Sequence, residues 1–363
     1  MHAKILAMEN RYYYRHMNKN EQTAYEAMLA GFKALSPSIR VPRLPGNGLG
    51  DVFFRLRLDH PTIFYVTGCT YRWAREAEYA ELLPVYMFEK QRIPEHIRAL
   101  EARVEKLVRP AEKLSEVEKE QYIHDFICAN VRYDKLKKPY SHEVIGPLQN
   151  GVGVCEGIAK TVKLLCDRLG LECVIAISEA DTSRPGGYLH AWNVVEIGGK
   201  HYHLDATFDH TLGKDEETRY DYYNLDDKHI FRDHRPLLYP MPACTDGDNF
   251  YYKTAKLSWT KEEDVAKRVD QALRKKKESM IFHWRGGYLT REKLGDLMAV
   301  IGPAAAKREK GVTYAINWPQ AVIKLYFTAP DAETVIETAQ ADEAALIDYS
   351  ETPPSAENGG TNI

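Results

Sequence analysis

The chain has 363 residues, of which 44% are hydrophobic, and its formal net charge is −3. This length and apolar content are typical of a globular protein with more than one domain. The near balance of charge argues against a nucleic-acid partner, and the absence of a long apolar run argues against a membrane span. Residues 1–16 lack the pattern of a signal peptide, so we expect a cytoplasmic protein if the N-terminus is complete.

The six cysteines are irregularly spaced, which is not the pattern of a disulfide framework. Cys155 and Cys166 would lie about 16 Å apart on one helix, too far for a disulfide bond. Reduced thiols therefore fit a reducing compartment.

Residues 1–114 predict a mixed α/β region without a cluster of chemically reactive side chains. Asn20 is a suitable N-cap for a helix over residues 21–35. Further predicted elements are strands over 61–68 and 81–90, the second broken by Pro84, and a helix over 95–109. We expect this region to pack on the domain that follows, with shaping of a substrate cleft as the alternative.

The predicted central domain, residues 115–245, begins with a capping box formed by Ser115 and Glu118. Its main helix follows the sequence GVGVCEG (151–157) and ends at Gly170. Apolar residues recur along it at helical spacing: Ile158, Ala159, Val162, Leu165, Cys166 and Leu169. Cys155 would thus lie in the first turn, where the helix dipole favours a thiolate. The backbone N–H groups there could stabilise an oxyanion.

Strands are predicted next over residues 173–178, 190–197 and 200–208, and Gly198 and Gly199 give a hairpin signal between the last two. Such a hairpin would bring His190, near the start of one strand, beside Asp205, near the end of the other. Cysteine, histidine and aspartate are the nucleophile, the base and the orienting group of a thiol-based acyl-transfer triad.

The motifs GVCEG (153–157), HAWN (190–193) and YHLDATFD (202–209) resemble those of the transglutaminase-like superfamily. Residues 118–134 resemble its lead-in helix, which ends in Tyr-Asp, and residues 220–234 resemble a stretch of bacterial members. The resemblance covers about 115–235 and implies a papain-like α+β core. It also implies Cys155 as the nucleophile, His190 as the base and Asp205 as the group that orients the base.

Two other residues are weaker candidates for the site. Gln149 precedes Cys155 by six residues, the spacing of the oxyanion-hole glutamine in papain-type peptidases. Trp192 is expected to pack beside the site rather than to take part in the chemistry, and Cys166 and Cys173 are expected to be buried apolar residues.

A metal site is the competing interpretation. His201, His203 and Asp205 alternate along one strand and would share a face. The sequence contains neither C-x-x-C nor H-E-x-x-H, and it contains no calcium-loop pattern. We therefore expect neither a metal nor another cofactor.

Residues 246–329 alternate strand and helix patterns, starting with a strand over FYYKTAKL (250–257). They predict a small α/β domain of ferredoxin-like character. Residues 330–363 contain eight Asp or Glu and neither Lys nor Arg, which predicts a disordered acidic tail.

The sequence predicts an α+β protein that is a cysteine-dependent acyl-transfer enzyme. A peptidase or amidase acting on peptide or glutamine-type amides is favoured, with a protein or peptide as the substrate. The alternatives are a protein-glutamine amine transferase and a non-catalytic scaffold that retains the fold. The substrate, the acyl acceptor and the oligomeric state stay open.

Overall fold

A computed structural model describes residues 10–74, 76–180, 188–213, 217–330, 336–338 and 347–348. The chain forms two compact units: unit 1 comprises residues 1–201, 235–242 and 344–363, and unit 2 comprises residues 202–234 and 243–343. The division falls inside one strand, Lys200–Leu204. These units differ from the four predicted segments, which stay a prediction. Helices and strands are mixed throughout, and the α+β class is confirmed.

The helices are α1 (Tyr12–Arg15), α2 (Lys19–Lys33), α3 (Gly48–Asp59), α4 (Ile93–Val108), α5 (Glu116–Asn130), α6 (Cys155–Leu169), α7 (Ala206–Gly213), α8 (Asp227–Ile230), α9 (Tyr251–Thr254), α10 (Glu262–Arg274) and α11 (Arg291–Ala306). The strands are β1 (Ile39–Pro42), β2 (Val66–Arg72), β3 (Tyr79–Tyr86), β4 (Arg132–Tyr133), β5 (Val152–Gly153), β6 (Cys173–Ile177), β7 (Tyr188–Leu189), β8 (Ala191–Ile197), β9 (Lys200–Leu204), β10 (Tyr223–Leu225), β11 (Ser258–Trp259), β12 (Ser279–Trp284), β13 (Gly311–Asn317), β14 (Val322–Thr328), β15 (Ile336–Thr338) and β16 (Ile347–Asp348).

The N-terminal part of unit 1 contains an antiparallel sheet in the order β1-β3-β2. The predicted strand over 61–68 is wrong at its start, because Pro61–Ile63 is a 3-10 turn and β2 begins only at Val66. Pro84 does not break β3. It pairs with Cys69 of β2, while β1 pairs only with residues 79–82, so the missing N–H of Pro84 lies beyond the end of β1.

The cap of α2 is Asn18 and not Asn20. The side chain of Asn18 accepts the backbone N–H of Glu21, and the carboxylate of Glu21 accepts the backbone N–H of Asn18. This reciprocal capping box supplies acceptors for two backbone N–H groups at the helix start that have no partner inside the helix. A cap two residues later would leave these two groups without those acceptors. The predicted box of Ser115 and Glu118 at the start of α5 is confirmed.

Helix α6 lies at the centre of unit 1, where it packs on α5, β6 and β8. Strands β6 and β8 pair antiparallel, with Ile175 opposite Asn193. The Asn193 amide donates to the carbonyl of Ala159 in α6 at 3.0 Å, and so fixes the helix on the strand. The helix runs from Cys155 to Leu169, and its C-cap is Gly170 with φ 77°, the stop signal that the sequence predicts.

Unit 2 contains residues 202–204 of β9, which pair antiparallel with β10, and a sheet in the order β11-β12-β14-β13-β15. The sheet packs on α10 and α11 through buried residues that include Val265, Val269, Phe282, Leu297 and Ile323. The predicted strand over FYYKTAKL is wrong, because Tyr251–Thr254 is helical. Both long helices precede the β13–β14 hairpin, so the order of elements is not ferredoxin-like.

Within residues 330–363, for which we predict disorder, the structure describes Pro330 and the short strands β15 and β16. The remainder of that prediction lies outside the described residues. Across the described ranges, none of the helices combines the length and apolar character needed to cross a membrane.

Candidate active site

The start of α6 is held by a loop that follows the Tyr-Asp motif. The carboxylate of Asp134 accepts the backbone N–H groups of Leu136 and Lys138 at 3.1 and 3.0 Å, and it also accepts the hydroxyl of Ser141. The carbonyl of Ser141 in turn accepts the N–H of Val154 at 3.0 Å. Asp134 therefore orders the loop on which the residue before Cys155 is anchored.

The second glycine of the G-V-C-E-G motif is required by this same loop. A Cβ atom on Gly157 would lie 2.1 Å from the carbonyl oxygen of Ser141, a backbone atom that cannot rotate away. The first turn of α6 thus touches the loop backbone directly, and only glycine fits there.

We expect Gly157→Ala to lower the free energy of unfolding by about 1–3 kcal/mol, because the helix start must move away from the loop. The matched control is Gly295→Ala in α11, where a Cβ would meet nothing within 4 Å. That change should be neutral or stabilising, since alanine is the better helix former. Urea unfolding measures both, and equal effects of the two changes would contradict the close contact.

Cys155 is the first residue of α6 and is fully buried, with 0% of its surface exposed. The preceding Val154 has no polar side chain, so none caps the helix start. All six cysteines lie in described ranges, and none is in a disulfide. The N-cap side chain therefore does not compete for the first-turn N–H groups, and the helix dipole favours a thiolate at this position.

A buried group of charges surrounds the residue next to Cys155. Lys160 bridges Glu156 at 2.7 Å and Glu143 at 2.9 Å, and Arg57 pairs with Glu143 and lies 3.6 Å from Glu156. Burial alone would raise the pKa of the Glu156 carboxyl. The charge of Lys160, the hydrogen bond from His142 and the charge of Arg57 together outweigh burial and lower that pKa. Two carboxylates thus balance two cations, so the charge of Glu156 does not act alone on the neighbouring thiol.

His190 is placed by its backbone and by an aromatic neighbour. It lies between β7 and β8 rather than inside the predicted strand. Its backbone N–H donates to Ser178 Oγ at 2.9 Å, and its carbonyl accepts the N–H of Ser178 at 2.9 Å. Its ring stacks on buried Trp192, with centroids 5.8 Å apart and planes 19° apart. Like Cys155, it belongs to unit 1.

Asp205 belongs to unit 2 and directly follows β9. The sequence extends the predicted strand to residue 208, but α7 begins at Ala206 and Asp205 caps it. Its Oδ1 accepts the backbone N–H groups of Thr207 and Phe208 at 2.9 and 3.0 Å. Its Oδ2 lies 2.9 Å from Nε2 of His234, which is fully buried.

His234 is a site residue that sequence reasoning missed. It ends the stretch 220–234, whose resemblance to bacterial members was the available signal. Its Nδ1 lies 3.0 Å from Asp233, so carboxylates face both ring nitrogens. Burial lowers its pKa, but the hydrogen bonds to Asp205 and Asp233 outweigh burial and raise the pKa of His234 to about 9.

Because the pKa of His234 is raised, we expect the free energy of unfolding to decrease at alkaline pH. Its titratable neighbours within unit 2 include Asp205, Asp233, His203 and Tyr222. Because the folded value exceeds the ordinary 6.5, the stabilisation is complete below that pH and is lost as the pH rises through about 9. We expect the free energy of unfolding to fall by about 3 kcal/mol over this window. Urea unfolding at several pH values measures it, and an equal slope in His234→Gln would contradict it.

Two histidines of the alternative metal site, His201 and His203, each contact a different carboxylate. His201 lies 3.5 Å from Glu196, whereas His203 lies 2.9 Å from Asp227. In unit 2, His203, Asp227 and Cys244 each offer a donor atom within 4.8 Å of the others. Asp227 already contacts the imidazole of His203 and accepts the N–H of Cys244, so these contacts account for the cluster without an ion.

Gln149 is exposed near the end of a helical turn, Gly146–Asn150, whose first three residues are buried, and Cys155 is buried. The oxyanion role of Gln149 stays a prediction to which this position adds no support. The first-turn N–H groups of α6 are the alternative donors.

Comparisons with known proteins agree with the motifs. Residues 101–206 match the model of the Transglutaminase-like superfamily. A search of curated proteins finds no match.

Among solved structures, a TGase is 14% identical with a TM-score of 0.27. The match covers 39% of this chain and 44% of the TGase chain. A protein from Cytophaga hutchinsonii, described as a candidate cysteine protease, is 19% identical with a TM-score of 0.24, and covers 35% of this chain and 51% of its own. The chain thus spans about half the length of these structures. The segment 101–206 is therefore similar to the transglutaminase-like superfamily.

Proposed function

We propose that this protein is a cysteine-dependent acyl-transfer enzyme in which Cys155 is the nucleophile, His190 the base and Asp205 the group that orients the base. The observation that carries the proposal is the position of Cys155. It opens a helix that has no side-chain cap, inside the segment that matches the superfamily. The anchored backbone of His190 and the ordered carboxylate of Asp205 support the other two roles.

In the proposed reaction, Cys155 Sγ attacks the carbonyl carbon of an amide while His190 takes the thiol proton. The first-turn N–H groups of α6 stabilise the oxyanion. His190 then gives the proton to the leaving nitrogen as the C–N bond breaks, which leaves a thioester on Cys155. Water or an amine attacks the thioester, and the proton it loses returns through His190 to the sulfur as the C–S bond breaks.

The acceptor separates two activities that share this thioester. We propose hydrolysis of a peptide or glutamine-type amide in a protein or peptide substrate, with transfer to an amine as the alternative. A third candidate, a scaffold without catalysis, is favoured by one observation: Cys155 has 0% of its surface exposed, so a substrate needs an opening to reach the sulfur.

The test uses p-nitrophenyl acetate, a small activated ester, on the full chain. We expect a burst of p-nitrophenol and an acetyl group on Cys155, found by mass spectrometry of digested protein, and neither in Cys155→Ala. A dansylated amine added during turnover reveals transfer, whereas free acetate alone reveals hydrolysis. Acetyl groups found only on lysines, with equal rates in wild type and Cys155→Ala, would contradict the proposed enzyme and favour the scaffold.

A further inference from the structure

The carboxylate of Asp205 is fixed from three directions within unit 2. A carboxylate offers about four acceptor directions. Two on Oδ1 are used by the backbone N–H groups of Thr207 and Phe208, and one on Oδ2 faces Nε2 of His234 at 2.9 Å. These contacts set the plane of the carboxylate, and they therefore set the direction of its fourth acceptor position.

His234 is itself held on every side. Its Nδ1 lies 3.0 Å from Asp233 Oδ1, and the other oxygen of Asp233 accepts the hydroxyl of Tyr222 at 2.5 Å. The amide of Gln320 donates to Asp233 at 3.3 Å, and Phe208 packs on the imidazole ring with centroids 4.6 Å apart. A carboxylate oxygen faces each ring nitrogen, and because an ionised carboxylate only accepts hydrogen bonds, we assign both ring nitrogens of His234 as donors.

We propose that His234 is a positioning residue of the active site: by donating from Nε2 to Asp205 Oδ2, it aligns the carboxylate that orients His190. This inference rests on the proposed function of Asp205. The bond is charge-assisted and buried, which gives it more influence on geometry than an exposed contact has. Asp233 holds the His234 ring directly, and Tyr222 and Gln320 in turn hold the carboxylate of Asp233.

A pair of substitutions separates positioning from simple packing. In His234→Gln the side-chain amide nitrogen replaces Nε2 and still reaches Asp205. In His234→Asn the shorter amide replaces Nδ1, so it keeps the contact with Asp233 and loses the contact with Asp205. Both residues are polar and smaller than histidine, and circular dichroism verifies that each variant is folded.

The measurement is the second-order rate constant for acetylation of Cys155 by p-nitrophenyl acetate, recorded across pH. We expect His234→Asn to lose about 10- to 100-fold, the size of one lost hydrogen bond to a charged group, and His234→Gln to stay near wild type. Equal rates in all three proteins, or equal losses in both variants, would overturn the inference. A wild-type protein that is not acetylated at Cys155 would instead overturn the proposed function and this inference with it.

A measurement on the unmodified chain keeps the inference testable if His234→Asn does not fold. Nitrogen NMR of the histidines should show a proton on Nε2 of His234 at neutral pH. An unprotonated Nε2 cannot donate to Asp205, so that result would overturn the inference without any variant.

Discussion

Replacing His190 with alanine is expected to lower the rate of Cys155 acetylation by about 10²- to 10⁴-fold, the range that general acid–base catalysis contributes. The thiol then lacks the group that takes its proton, while its position at the start of α6 is unchanged. Free imidazole added to the buffer should restore part of the rate, since it supplies the same base from solution. Stopped-flow detection of p-nitrophenol measures both effects.

The matched control is His201→Ala. His201 is half-buried and contacts Glu196, and it has no role in the proposed chemistry. It should react like the wild type. An undiminished rate in His190→Ala, or an equal loss in the two variants, would show that His190 is not the base.

Replacing Lys160 with methionine should cost about 3–5 kcal/mol of the free energy of unfolding, the usual penalty for removing one partner of a buried ion pair. Lys160 has 0% of its surface exposed and bridges Glu143 and Glu156. After the change, Arg57 and His142 are the basic side chains among the described residues that still contact these carboxylates. Because Glu156 follows Cys155, acetylation of Cys155 should slow as well.

The control is Lys293→Met, which removes a lysine that also bridges two carboxylates, Glu262 and Asp296, at 2.9 and 2.8 Å. Lys293 lies at the surface, where such pairs contribute little, so the unfolding transition in urea should hardly move. A similar small shift in Lys160→Met would contradict a stabilising buried ion-pair group of Lys160, Glu143 and Glu156.

The start and end of α6 could be predicted because the signals are local. Glycines precede Cys155, apolar residues recur at helical spacing, and Gly170 adopts the left-handed conformation that ends the helix. The cap of α2 was missed although its signal is also local: Glu21 stands three residues after Asn18, as a capping box requires. Residue type alone does not separate Asn18 from Asn20, because asparagine is a suitable N-cap at either position.

Other features of the site could not be predicted because they depend on contacts between distant segments. His234 meets Asp205 across 29 positions, and Arg57 meets Glu143 across 86. In sequence these residues look like ordinary surface charges. Gly157 is an intermediate case, because its motif is visible in the sequence while the reason for it, the carbonyl of Ser141, is not.

The central claim is that Cys155 and His190 form an activated pair, and the most direct test is the pH dependence of alkylation by iodoacetamide, read by mass spectrometry. Cys166 is an internal reference, because its hydrogen bond with Cys173 and its burial raise its pKa. A rapid opening that exposes Cys155 only for a small fraction of the time lowers every rate by the same factor and leaves the shape of the profile unchanged. We predict that alkylation of Cys155 begins at a lower pH than that of Cys166 in wild type, and that this difference is lost in His190→Ala. A profile for Cys155 that rises only in alkali, as for Cys166, and is unchanged in His190→Ala would contradict the account.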